Sequence, residues 1–180
     1  MRKSFTFQRG FTIIELLAVI TIIALLATLA TPGFQNMMER SYSLKCGSNL
    51  RQIGIAVNSY VSEHDNCYPL IETNPTNPVY SPDDHAQGML DTLQPYGVTL
   101  DVLTCPKDKA GVNHVAKLKT SYEWRPILDG ETQNAPKVYW RATPAQVSAT
   151  RIRIVTDFER YHFGRMNALY GDGHVTQVMK

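Results

Sequence analysis

Arg9-Gly10-Phe11-Thr12-Ile13-Ile14-Glu15-Leu16-Leu17 heads an apolar run that continues to Thr31 and carries one charge, Glu15. A helix over Phe11 to Thr31 is roughly 31 Å long at about 1.5 Å per residue, close to the thickness of a bilayer's hydrocarbon layer. The run therefore reads as a membrane-spanning helix. Arg2, Lys3 and Arg9 precede it with no acidic residue among them, so the positive-inside bias puts that end in the cytoplasm and the bulk of the chain on the far side. A cleaved secretory signal is the alternative, with Thr28-Leu29-Ala30 as a loose small-x-small site. Against it stand the length of the run and Glu15 itself, because a carboxylate near mid-membrane costs about 2.5–3.5 kcal/mol without a partner.

Beyond Pro32 and Gly33 the pattern becomes one-sided. Phe34, Met38, Tyr42, Cys46, Leu50, Ile53, Val57, Tyr60 and Val61 recur at helical spacing, with Glu39, Lys45, Arg51, Asn58 and Glu63 on the other face. The two halves predict one long helix from Phe11 to His64, kinked at Pro32, where a backbone donor is lost. Residues 65–84 hold four prolines and no hydrophobic period, the signature of a loop. A short helix over Asp84–Leu93 and an extended segment over Val102–Pro106 follow. Strands are predicted at Ser121–Trp124, Lys137–Arg141, Arg151–Thr156, Asn167–Gly171 and His174–Val178. Asp172-Gly173 between the last two suggests a two-residue type I′ turn that sets Gly171 opposite His174 and Tyr170 opposite Val175. The fold class is α+β, with a small antiparallel sheet packed on the amphipathic half of the helix.

Charge and cysteines narrow the function classes. The chain has 18 basic and 16 acidic side chains, and loss of Arg2, Lys3 and Arg9 leaves 15 basic, so the surface is near neutral and no nucleic-acid partner is expected. Cys46, Cys67 and Cys105 lie beyond the membrane run, in an oxidising compartment by this reading, where one bridge can form in three ways. Cys46 lies on the packed stripe and Cys105 precedes a proline that keeps the chain extended, which favours Cys46–Cys105. Cys67, directly after the helix, leaves the other pairings open. No C-x-x-C, H-E-x-x-H, G-x-S-x-G, P-loop or G-x-G-x-x-G occurs, so the sequence carries no enzyme motif of these kinds.

The short basic leader, Gly10-Phe11-Thr12 and a glutamate five residues past the glycine resemble the cleavage and N-methylation signal of type IV prepilins and type II secretion pseudopilins. Pro32 falls where that family often carries a kink. The resemblance implies a pilin-like fold and four parts: a cleaved leader at 1–10, a transmembrane helix half at 11–31, an amphipathic half at 32–64 and an extracytoplasmic globular domain at 65–180. It implies cleavage between Gly10 and Phe11 by a prepilin peptidase and methylation of the Phe11 amine. Glu15 would pair with the N-terminus of a neighbouring subunit in a filament, which offsets its burial. The implied location is the bacterial inner membrane, with the N-terminus cytoplasmic and the domain periplasmic or in a filament. The implied partners are the peptidase, further copies and other pilin-like subunits.

Asp157, Glu159, His162, Asp172 and His174 crowd the C-terminal region. His162 with Asp172-Gly173 resembles the H-x9-DG segment of a prepilin-processing-associated family, in which Asn49-Leu50-Arg51-Gln52-Ile53-Gly54 and Cys105-Pro106 also find counterparts. No cofactor is implied by these motifs except calcium, which major pseudopilins bind in a C-terminal loop; Asp157 and Asp172 are the candidate ligands here. The plainer reading is that Asp172 serves a tight turn and that Asp157 and His162 cap or bridge loops. Three functions follow: a structural pilin or pseudopilin subunit supporting protein secretion, a minor pilin for adhesion or DNA uptake, and a membrane-anchored metal-dependent hydrolase using His162, Asp172 and His174. The N-terminal signal favours the first.

Overall fold

A computed structural model describes residues 11–72, 87–108, 119–134, 136–140 and 143–179, without the side chains of 29–32, 138–140 and 143–146. Helix α1 covers Ile13–Glu63 and α2 covers Met89–Leu93, followed by a 3-10 turn at Gln94–Tyr96. Six strands complete the fold: β1 Tyr122–Trp124, β2 Lys137–Trp140, β3 Thr143–Gln146, β4 Arg153–Asp157, β5 Met166–Tyr170 and β6 Val175–Val178. All pairings between them are antiparallel, in a four-stranded sheet of order β1-β4-β5-β6 and a separate β2-β3 ribbon. The architecture is α+β, a long N-terminal helix with a small antiparallel sheet. Two compact units emerge, Met1–Met38 and Glu39–Lys180.

Within the second unit the helix stripe meets the sheet. Cys46, Leu50, Ile53, Ala56, Val57 and Val61 are buried along one helical face, in one cluster with Tyr122, Trp124, Val155 and Leu169 from the strands. The burial starts later than the periodicity suggests, since Phe34 at the head of the predicted stripe is 66% exposed. Two polar or small residues fix the fit. Asn49, fully buried, donates from Nδ2 to Thr104 O at 3.1 Å and to Tyr122 Oη at 3.3 Å. Gly54 lets the sheet approach: a Cβ there would lie 3.0 Å from Leu169 Cδ1. Cys46 and Cys105 form a disulfide with a Cα separation of 5.5 Å. Closing a loop of 59 residues in sequence separation is worth about 4 kcal/mol in the chain-entropy account.

Several sequence expectations are corrected. Thr143–Gln146 is a strand that its proline had hidden. Val102 and Leu103 lie in a turn, with Leu103 N–H on Thr99 O at 3.1 Å, where an extended segment was expected. Of the predicted 84–93 helix, the described part begins at Met89; residues 84–86 and most of the 65–84 loop lie outside the described residues.

The β5–β6 turn also differs. Leu169 pairs with Val175 and Ala168 with Thr176. Tyr170 N–H bonds His174 O at 3.0 Å and Gly173 N–H bonds Tyr170 O at 2.9 Å. The loop therefore has three residues, Gly171-Asp172-Gly173, with a left-handed glycine at Gly173 (φ +87°) closing the turn. The cause is Gly171, whose N–H is drawn to Ile152 O at 3.0 Å and whose Cα side is walled by Tyr68 and Ala149, so it does not face His174 as a ladder residue. Since space around Gly173 is open, its constraint is the backbone angle alone. Gly173→Val is expected to cost about 1–3 kcal/mol in thermal melts of the full chain in detergent, and Gly173→Asn under about 1 kcal/mol.

Candidate functional site

The first unit is an apolar rod. Phe11 and Ile13 are 74% and 85% exposed, and Ile14, Leu16, Leu17, Val19, Ile20, Ile22, Ile23, Leu25 and Leu26 are exposed around the whole helix. A helix apolar on every side requires a non-aqueous surround or a cover of other helices. Among the described residues no single helix is long and apolar enough to cross a membrane, but Ile13–Thr28 and Gly33–Glu63 together are, by length and composition. Gly10 lies outside the described residues, and the predicted kink at Pro32 falls among undescribed side chains.

The polar groups of the rod are satisfied from within. Thr12 N–H donates to Glu15 Oε2 at 2.9 Å, Thr12 Oγ1 donates to the same oxygen at 2.6 Å, and Glu15 N–H donates back to Thr12 Oγ1 at 3.3 Å. This is a reciprocal capping box at the start of α1. Thr21 bonds back to Leu17 O and Ala18 O, and Thr28 to Leu25 O. Sequence reasoning assigned Glu15 only to a neighbour's amine and missed Thr12, although threonine followed three residues later by glutamate before an apolar run is the signal for such a box.

A second group surrounds His162. His162 N–H bonds Arg165 O at 3.2 Å and Arg165 N–H bonds His162 O at 2.8 Å, bracketing Phe163 and Gly164 at φ +51° and +71°. Two successive positive φ values are the mark of a type I′ turn, which sits here rather than at Asp172-Gly173. Phenylalanine rarely adopts this conformation, so no turn signal announced it. The turn buries His162 completely. Its Nε2 lies 3.5 Å from Cys105 Sγ and 4.0 Å from Asp157 Oδ2, and its Nδ1 lies 4.0 Å from Glu39 Oε1. Glu39 is held by Lys107 Nζ at 2.5 Å. Burial pushes the His162 pKa down, which keeps the ring neutral, while the nearby Glu39 pulls it up.

Asp157, buried at the end of β4, accepts Asn167 N–H at 2.6 Å; burial pushes its pKa up to about 7 despite that bond. Asp172 lies elsewhere, at the β5–β6 turn, accepting His174 N–H at 3.1 Å and meeting His174 Nδ1 at 2.5 Å. Thus His162 keeps company with Cys105, Asp157 and Glu39, while Asp172 and His174 bond each other. Among the described residues the three-residue group of candidate metal ligands is Cys46, Cys105 and His162.

Asp129 is a further pH-sensitive group. Trp124 Nε1–H donates to its Oδ1, its Oδ2 has no hydrogen-bond partner among the described residues, and burial pushes its pKa up to about 8. A carboxyl with a raised folded pKa favours the fold while protonated in both states, and its contribution declines as pH rises from the unfolded value near 4 to the folded one. Asp129→Asn, which stays neutral, should therefore gain stability on the parent between about pH 4 and 8, by at most about 1.4 kcal/mol per pH unit before solvent screening. Thermal melts of both chains at several pH values measure this.

Comparison with known proteins adds to this geometry. The family described as the prokaryotic N-terminal methylation motif matches residues 6–31, a motif that implies an N-terminal membrane anchor. A type IV major pilin protein PilA of Myxococcus xanthus is 42% identical over 58 residues, 32% of this chain and 26% of that protein. A type IV major pilin protein PilE1 of Neisseria gonorrhoeae is 31% identical over 119 residues, 66% of this chain and 69% of that protein. The competence protein ComGC of Halalkalibacterium halodurans is 31% identical over 65 residues, 36% of this chain and 64% of that protein. The chain spans between a quarter and about half of the first curated relatives it matches. No solved structure is a match. The methylation motif and the likeness to PilE1 over more than two thirds of its length show that the chain belongs to the type IV pilin family.

Proposed function

We propose that this pilin is cut between Gly10 and Phe11 by a prepilin peptidase, methylated on the new amine, and held in the bacterial inner membrane with its domain on the periplasmic side. From there it assembles with copies of itself and other pilin-like subunits into a type II secretion pseudopilus or a type IV pilus-like filament. The observation that carries this is the α1 rod from Phe11 to Leu26, apolar on all sides and uncovered in the single chain. Lipid before assembly and neighbouring helices after it remove the same surface from water, at about 25 cal/mol per Å². As the one acid on that rod, Glu15 has Thr12 as its resident partner. After the cut the Phe11 amine of a neighbour competes for that carboxylate, and the charge pair fixes the stagger between subunits.

A structural role rather than an enzymatic one rests on the family of relatives. The hydrolase alternative drew on His162, Asp172 and His174, and it finds no support in a histidine buried beside Cys105 and an aspartate bonded to its own turn neighbour. Calcium on Asp157 and Asp172 gains none either, as Asp157 spends Oδ2 on the Asn167 amide and Asp172 spends Oδ1 on His174.

Intact-mass measurement of the protein from membranes is expected to give a chain beginning at a methylated Phe11. A chain that still carries residues 1–10, or that starts after Ala30, would overturn the processing assignment.

Glu15→Val should leave cleavage and membrane retention intact, since the transfer cost of a buried carboxylate disappears. It should abolish filament recovery in shear fractions. Normal filaments from this variant would sink the pairing. A Thr12→Val variant weakens only the capping box, by roughly 0.5–2 kcal/mol, and should still assemble.

A further inference from the structure

We propose that the dithiol form of this protein binds one zinc ion through Cys46, Cys105 and His162, with the fourth position open, and that this ion and the Cys46–Cys105 disulfide are mutually exclusive states of one site. The two sulfurs and a His162 ring nitrogen all lie within 4.8 Å of one another and all three residues are buried. Cys105 Sγ to His162 Nε2 is 3.5 Å. Zinc at about 2.3 Å from sulfur and 2.0–2.1 Å from nitrogen sets tetrahedron edges of roughly 3.3–3.8 Å. The Cys105–His162 pair already lies at an edge length of this kind, and the two sulfurs move off bonding distance when the disulfide opens.

The donor chemistry fits the same ion. Two thiolates and one imidazole nitrogen are ligand types zinc takes. His162 Nδ1 has no hydrogen-bond partner among the described residues. Beyond the ring, His162 Nδ1 faces Glu39 Oε1 at 4.0 Å, and Lys107 pins that carboxylate. A carboxylate behind the distal nitrogen is the outer-shell arrangement that orients a metal-bound histidine.

The two states interconvert with balanced electrons. In the zinc state both sulfurs are thiolates. The two thiolates give two electrons to a disulfide oxidant, which takes two protons from solvent and becomes two thiols; the Cys46–Cys105 bond forms, and Zn²⁺ leaves because neither sulfur retains an anionic lone pair to donate. While bound, the ion masks both thiols from premature pairing with Cys67, whose sulfur is accessible at the end of α1.

The test uses the full chain in detergent micelles with Cys67→Ser, so that only the two site thiols remain. Phosphine-reduced and oxidised samples are incubated with zinc chloride, desalted and assayed for metal. About one zinc per reduced chain and under about a tenth per oxidised chain is expected, with one zinc also retained by the reduced parent carrying Cys67. Cobalt(II) in the reduced chain should give thiolate charge-transfer bands and tetrahedral d–d absorption. His162→Gln should weaken zinc at least about 10-fold; should it lose its helical circular dichroism, Glu39→Gln, which touches only the outer shell, is read instead and should weaken zinc about 10-fold. Equal zinc in the two redox states, an octahedral cobalt spectrum, or full affinity in a folded His162→Gln chain would each overturn the proposal.

Discussion

An uncovered apolar helix cannot persist in water, and that constraint governs how the rest of the chain is built. Every side chain from Phe11 to Leu26 faces outward, so the stretch has to satisfy its polar groups internally, as any segment in hydrocarbon must. It does so with three threonines. Thr12 takes up Glu15, while Thr21 and Thr28 return their hydroxyls to carbonyls one turn back. The rod is therefore self-sufficient in hydrogen bonds and deficient only in cover, the property that suits it to pass from lipid to a bundle of neighbouring helices without rearranging its own backbone.

The second half of α1 meets the opposite requirement, because a domain must be seated on it. Apolar stripes alone allow sliding by one turn, and the contacts that break this freedom are the specific ones. Asn49 reaches Thr104 and Tyr122 from a fully buried position, an arrangement that a one-turn slip would leave unsatisfied at a cost of about 1–3 kcal/mol. Gly54 admits Leu169 where any side chain would hold β5 away. Cys46 adds the covalent tie to the loop at Cys105, whose amide is in turn held by Ser121 Oγ at 3.0 Å. Asn49 and Gly54 belong to the stretch that stood out by resemblance alone, and the packing supplies the physical reason for both.

What the sequence made legible was whatever depends on period or local composition. The helix and its change from all-round to one-sided apolarity follow from spacing, because burial on a face imposes spacing directly, whereas five of the six strands follow from their Val, Ile, Tyr and Trp content. What stayed hidden depends on particular backbone angles or on contacts distant in sequence. Asp172-Gly173 reads as a two-residue turn, but Gly171 is captured by Ile152 and Ala149, and the loop grows to three. Phe163-Gly164 contains no preferred turn residue at its first position, and only the folded structure reveals that it runs at positive φ. The company of His162 leaves no local trace, since it depends on segments brought together by the fold, while Asp129 meets Trp124 five residues back across the Pro126–Leu128 turn. The capping box at Thr12 is the exception, a local signal that was present and overshadowed by the membrane reading of Glu15.

The H-x9-DG spacing takes on a geometric meaning in this light. His162 opens the turn into β5 and Asp172 sits in the turn out of it, so the fixed interval is one turn, one five-residue strand and the start of the next turn. An insertion or deletion within β5 would flip the strand's faces, since side chains alternate. Leu169 would then leave Gly54, and Asn167, whose amide holds Asp157, would leave β4. The histidine and the Asp-Gly pair therefore keep their separation without touching each other. Each end closes one edge of the strand against which the helix is seated, with His162 buried beside the disulfide at one end and Asp172 in solvent, bonded to His174, at the other.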